Sequence, residues 1–85
     1  MTLQDNQTPI KLVESIVLSL VEEPEAVEIV SRDEGYSTII EVKVAPADTG
    51  KIIGRQGRVV RALRTLARAS SSYIGGSHVE VEILD

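Results

Sequence analysis

Two glycines three residues apart, Gly54 and Gly57, break a stretch that would otherwise read as one long helix. Before them, Ala47 to Ile53 has room for one or two helical turns. After them, a helical pattern runs from Arg58 to about Ser71, with Val59, Val60, Leu63, Leu66 and Ala67 as its apolar stripe. Glycine adopts positive φ at no steric cost and lets another backbone come close. The pair therefore dictates a sharp turn between a short helix and a longer one. The longer helix, starting just past Gly57, aims its unpaired N–H groups and the positive end of its dipole at that turn.

Charge singles out the same region. The chain of 85 residues has a formal net charge of −4, which as an average speaks against a nucleic-acid partner. The average misleads. Lys51, Arg55, Arg58, Arg61, Arg64 and Arg68 are six of the nine basic residues, and no Asp or Glu lies among them. Phosphate binding follows the local field more than the net charge. At about 100° per residue, Arg58, Arg61, Arg64 and Arg68 cluster opposite the apolar stripe.

The rest of the chain supplies a frame. Residues 1–7 are polar and expected to be flexible, and 8–85 make one domain. Thr8-Pro9 reads as a helix start, with Thr8 as N-cap, and Pro24 as the stop. Between them Ile10, Val13, Ile16, Val17, Leu20 and Val21 recur at spacings of three and four. Residues 26–32 read as a strand, Asp33-Glu34-Gly35 as a turn, and 36–44 as a second strand with Thr38, Ile40, Val42 and Val44 on one face. Residues 70–77 form a loop, and 78–84 a third strand with Val79, Val81 and Ile83 inward. The expected fold is α+β and two-layered, in the order α-β-β-α-α-β, with helices on one face of a three-stranded sheet. A helical crossover makes its flanking strands parallel if they are neighbours, so the sheet is expected to be mixed.

The glycine turn has the makings of a phosphate-backbone clamp. Arg55 and Gln56 project from its tip, Lys51 and Arg58 flank it, and Ile52 and Ile53 precede it as a surface for bases. Ile53-Gly54-Arg55-Gln56-Gly57 is similar to the GXXG signature of KH domains, and the element order resembles the type II KH fold. The resemblance runs from about Ile10 to the C-terminus. The segment from Ala45 to Gly57 resembles most the small bacterial single-KH-domain proteins of the KhpA type. GXXG alone is a weak signal. Joined to the aliphatic pair, the acid-free basic helix and the element order, it is strong.

The resemblance implies a non-catalytic protein that binds single-stranded RNA. GXXG clamps the backbone and bases lie over an aliphatic groove. Carried over by position, the site is Lys51, Ile52, Ile53, Gly54, Arg55, Gln56, Gly57, Arg58, Val60 and Arg61. It further implies a cytoplasmic RNA chaperone, acting as a homodimer or with a larger KH-containing protein and tied to cell-wall growth and cell shape.

Plainer readings stand beside these. Ile52 or Ile53 can be core. Arg61, Arg64 and Arg68 divide evenly between RNA or a partner and mere solvation. Tyr36 and Tyr73 adjoin turns and suit packing better than stacking. Asp48 can cap the short helix. His78 is the only histidine and there is no cysteine, so no metal site and no cofactor are expected. The serines at 70–72 have no base placed to activate them. Gly50-Lys51 lacks the earlier glycine of a P-loop. No stretch approaches a membrane span and no secretory signal opens the chain, so a cytoplasmic protein is expected. The rival function is a protein-interaction module that dimerises through the aliphatic surface around Ile52 and Ile53.

Overall fold

A computed structural model describes residues 7–35, 37–71 and 78–84. Helix α1 spans Gln7–Leu20, strand β1 Glu28–Glu34, strand β2 Ser37–Lys43, helix α2 Thr49–Ile53, helix α3 Arg58–Ser71 and strand β3 His78–Leu84. Single 3-10 turns occupy Pro24–Ala26, Pro46–Asp48 and Arg55–Gly57. This is the α-β-β-α-α-β order that the periodicities predict.

The three strands lie in the order β1-β2-β3. β1 is antiparallel to β2, with Ile29 opposite Val42 and Ser31 opposite Ile40. β2 is parallel to β3, with Thr38 beside Val79 and Ile40 beside Val81. The mixed sheet follows from connection length. A tight turn reverses the chain after β1, whereas β2 and β3 are joined through α2 and α3. β1 runs to Glu34, further than expected, and Glu34 pairs with Ser37. Only Gly35 and residue 36 separate the strands, and Gly35 takes the positive φ (76°) that such a short hairpin requires.

One face of the sheet meets the helices. Val13 and Val17 of α1, Ile40 and Val42 of β2, Ile52 of α2, Leu63 and Ala67 of α3, and Val79 and Val81 of β3 form one aliphatic core. Complete burial of a side chain such as Ile40, Ile52 or Leu63 contributes about 1.5–3 kcal/mol.

Several expectations need correction. α1 begins at Gln7, so Thr8 is not its N-cap, and Pro9 sits buried within the first turn, where no N–H is needed. The same helix stops at Leu20 rather than at Pro24. The N–H groups of Glu22 and Glu23, which would extend it, donate instead to the carboxylate of Asp48 at 3.1–3.2 Å. Leu20 at the helix end and Leu66 at the rim of the α3 stripe are exposed, not core. The buried arc of α3 is Val60, Leu63, Ala67 and Ser71. Tyr36, Tyr73 and the greater part of the 70–77 loop fall outside the described residues, as do residues 1–6.

Candidate nucleic-acid interface

α2 has only five residues, too short to be stable alone. It is held by Ile52, which is fully buried in the core. Ile52 therefore offers no surface to a ligand, and its place in the expected groove is beneath it. Ile53, 37% exposed, is the member of the aliphatic pair that faces outward. Val60 is nearly buried and lies under the start of α3.

The chain leaves α2 at Gly54, whose N–H donates to the Gly50 carbonyl at 2.8 Å. Gly54 has φ 78° and ψ 171°, a backbone region open in practice only to glycine. A Cβ there would also lie 2.8 Å from the Val59 backbone nitrogen and against the Val59 side chain. Both the dihedrals and the close approach require glycine. Gly57 is glycine for one reason only: its φ is 73°, whereas a Cβ there would make only an ordinary contact with Val60 Cγ1 at 4.0 Å. Between them Gln56 is left-handed, with φ 57° and ψ 27°. The Gly57 N–H closes the turn onto the Gly54 carbonyl at 3.1 Å.

The cations flanking this loop fall into two sets. Arg55 and Arg58 are exposed, and no carboxylate among the described residues pairs with either. The other four are engaged within the chain. Lys51 Nζ lies 3.0 Å from Glu22 Oε2 and 3.2 Å from Asp48 Oδ1. Arg61 Nη2 donates to the Gln56 carbonyl at 2.9 Å and so braces the loop. Arg64 Nε donates to the Val81 carbonyl and Arg68 Nε to the Val79 carbonyl, each at 3.2 Å. The last two are in register because four residues of helix advance about 6 Å and two of strand about 6.6 Å. They cover outward carbonyls of β3, an edge strand whose free groups would otherwise need another partner. Arg68 Nη2 also reaches Glu80 at 3.5 Å.

No acidic residue occupies the first turn of α3, so nothing opposes the positive end of its dipole. The exposed loop thus combines two cations, a strained and fixed backbone, and the N-terminus of a 14-residue helix. That combination suits an anion held by main chain and side chain together. A shallow hollow of about 400 Å³ lies at the far end of α2 from the loop, lined by Lys43, Val44, Pro46 and Thr49.

Asp48 is the residue whose role the sequence does not betray. It stands at the N-cap position of α2 but makes no capping bond there. Its carboxylate, 1% exposed, receives the Glu22 and Glu23 N–H groups and Lys51. Burial pushes its pKa up, but the two backbone donors and the lysine outweigh that and hold it below the usual carboxylate value. Lys51 is raised in return, chiefly by its bond to Glu22; burial opposes this, and Asp48 adds to the rise. No local pattern signals a contact across 25 or 26 residues of sequence.

Among the described residues, no group of three or more His, Asp or Glu is placed to hold a metal. His78 Nε2 lies 2.9 Å from Glu80 at the exposed start of β3. No helix among them is long and apolar enough to cross a membrane.

Comparison with known proteins gives a consistent result. The sequence matches the KhpA/KhpB KH-domain family over residues 10–83. It is 45% identical over 76 residues to a protein of Borreliella burgdorferi named RNA-binding protein KhpA, covering 89% of this chain and 92% of that one. A protein of the same name from Caldanaerobacter subterraneus subsp. tengcongensis is 49% identical over 61 residues, covering 72% and 81%. Another from Streptomyces coelicolor is 43% identical over 72 residues, covering 85% and 86%.

Proposed function

The chain belongs to the KhpA/KhpB KH-domain family, and from that premise we propose that it is a non-catalytic protein that binds single-stranded RNA through the Gly54–Gly57 loop. The observation that carries the proposal is the pairing of a glycine-dependent turn with two exposed arginines, at a helix N-terminus, that no carboxylate among the described residues pairs with. Arg55, Gln56 and Arg58 meet phosphate, with the N–H groups of the turn and of the first turn of α3. Ile53 borders the surface on which bases lie, and Ile52 and Val60 support it from beneath. Arg61 keeps the loop in shape.

Affinity is modest, since few nucleotides are contacted, and it falls with salt. The family resemblance extends the proposal to a cytoplasmic RNA chaperone, working as a homodimer or with a larger KH-containing protein in cell-wall growth and cell shape. Sizing the purified protein across a concentration series tests the dimer.

The decisive test replaces Arg55 and Gln56 with aspartate and measures binding to single-stranded RNA at two salt concentrations. The expected result is a loss of at least about tenfold with an unchanged melting temperature. Unaltered affinity in a folded variant rejects the loop as the site.

A further inference from the structure

Asp48 is the only charged side chain in the interior of the described residues. A buried carboxylate is costly unless its oxygens are hydrogen-bonded and its charge is compensated. Here both conditions are met by donors from two separate parts of the chain. Glu22 and Glu23 belong to the link between α1 and β1, and Lys51 to α2. The carboxylate is therefore a joint between that link and the short helix leading into the loop. The last hydrogen bond of that helix, from Gly54 to Gly50, fixes where the loop begins. With only five residues, α2 takes its orientation from its anchors, which are Ile52 in the core and the Asp48–Lys51 joint at its other end.

We propose that Asp48 and Lys51 are positioning residues for the Gly54–Gly57 loop, and that Lys51 serves RNA binding by fixing α2 and not by touching phosphate. The inference rests on the reading of that loop as the RNA clamp. It reverses the expectation from charge alone. A carboxylate and a glutamate beside a phosphate-binding lysine should weaken binding, and removing either should strengthen it. If they hold α2 in place, removing Asp48 weakens binding although a negative charge is lost.

The test is titration of a short fluorescent oligouridine with the full chain at several salt concentrations, well below each variant's melting temperature. Asp48→Asn is expected to bind roughly three- to tenfold more weakly, with the wild-type salt slope. Equal or tighter binding overturns the proposal. Lys51→Met is expected to lose affinity with the slope unchanged. In the same series Arg58→Met, a phosphate contact, should flatten the slope by about 0.7. A slope flattened to that extent in Lys51→Met overturns the positioning role, as does an unaltered affinity.

Glu22→Gln guards against an Asp48 variant that does not fold, because Glu22 is 82% exposed in its side chain. It releases Lys51 from one carboxylate, and tighter binding would mark the lysine as a phosphate contact. No tightening is expected. Failure of the loop reading is distinguishable. If the Arg55→Asp, Gln56→Asp pair binds like wild type, the clamp falls and this inference with it. If that pair loses binding while Lys51→Met flattens the slope, only the positioning role falls.

Discussion

Arg32 and Arg55 are the same residue type on two surfaces of one small domain, and their surroundings differ completely. Arg32 lies on the outer face of the sheet, with Glu34 at 3.5 Å, Glu41 at 3.4 Å and Glu82 at 3.9 Å. Glu28 and Glu80 extend the acidic character of that face along the strand register. Arg55 projects from the glycine loop with no carboxylate partner among the described residues. Exposed ion pairs such as those of Arg32 contribute at most about 1 kcal/mol to stability, but they cancel a charge locally. The comparison explains how a chain of net charge −4 can take a polyanion. Glu28, Glu34, Glu41, Glu80 and Glu82 lie on a sheet face that the loop does not share, and of the cations around the loop Arg55 and Arg58 have no carboxylate within reach among the described residues.

The largest expected effect tests that contrast directly. Arg55→Glu combined with Arg58→Glu should lower RNA affinity on the order of a hundredfold at low salt, because two contacts become repulsions. Arg32→Glu changes the charge equally per residue and should leave affinity within about twofold. Filter binding or fluorescence anisotropy decides it. A comparable loss from Arg32→Glu would mean that overall field, and not local contact, governs binding.

The next prediction separates the two glycines. Gly54→Ala meets both forbidden dihedrals and the Val59 backbone, and should cost about 2–3 kcal/mol in denaturant unfolding. Gly57→Ala meets only its positive φ and should cost about 1 kcal/mol. Equal costs would show that the Val59 contact relaxes freely.

Smaller effects are expected on the α3–β3 side. Arg64→Met and Arg68→Met should each cost about 1 kcal/mol, through a lost bond to a strand carbonyl. The salt slope of RNA binding should not move. A slope flattened by about 0.7 for either would add that arginine to the contacts beside Arg55 and Arg58.

The smallest effect is a pH dependence at the Asp48 joint. Its carboxyl has a folded-state pKa below the ordinary 3.8. Its stabilising contribution is complete above that value and is lost as pH falls through the lower, folded-state one. Lys51 behaves in the opposite sense. Its folded-state pKa lies above the ordinary 10.5, so its contribution is complete below 10.5 and is lost as pH rises through the raised value. The stability gap between wild type and Asp48→Asn should be flat between about pH 5 and 9 and narrow below 3.8. A gap that already narrows near neutral pH would contradict this arrangement.

Much of this was legible in the sequence, for identifiable reasons. Strand alternation in Thr38, Ile40, Val42 and Val44 gave the core face of β2, since a period of two cannot be satisfied any other way beside a half-buried sheet. The limits of α3 and β3 were legible because periodicity and glycine breaks coincide there. The loop was legible because its two glycines answer a backbone requirement that is local. The sequence could not disclose which cations stay unpaired. Lys51 looked like Arg58 until Glu22 arrived from the end of α1, and Arg64 and Arg68 looked solvated until the β3 carbonyls came alongside. The end of α1 was misread for the same reason: Pro24 is a visible stop, whereas Asp48 acts from more than twenty residues away. The sheet's topology was readable from connection lengths, whereas the side-chain contacts made by folding were not.

The two pairings of β2 carry one more consequence, in time. β1 and β2 are adjacent in the chain and close through Gly35, so their hairpin can form in about 1–10 µs. The other edge of β2 must wait for β3, since Ser37 finds His78 only after the whole crossover has been made. Pairings so distant in sequence form late, because loop closure precedes any gain from contact. The crossover is the segment that holds α2, the glycine loop and α3. The glycine loop is thus closed into the fold by the slower of the two strand pairings. On the ribosome a chain still missing His78 to Leu84 would already hold its hairpin, but Arg64 and Arg68 would lack the strand carbonyls that seat α3.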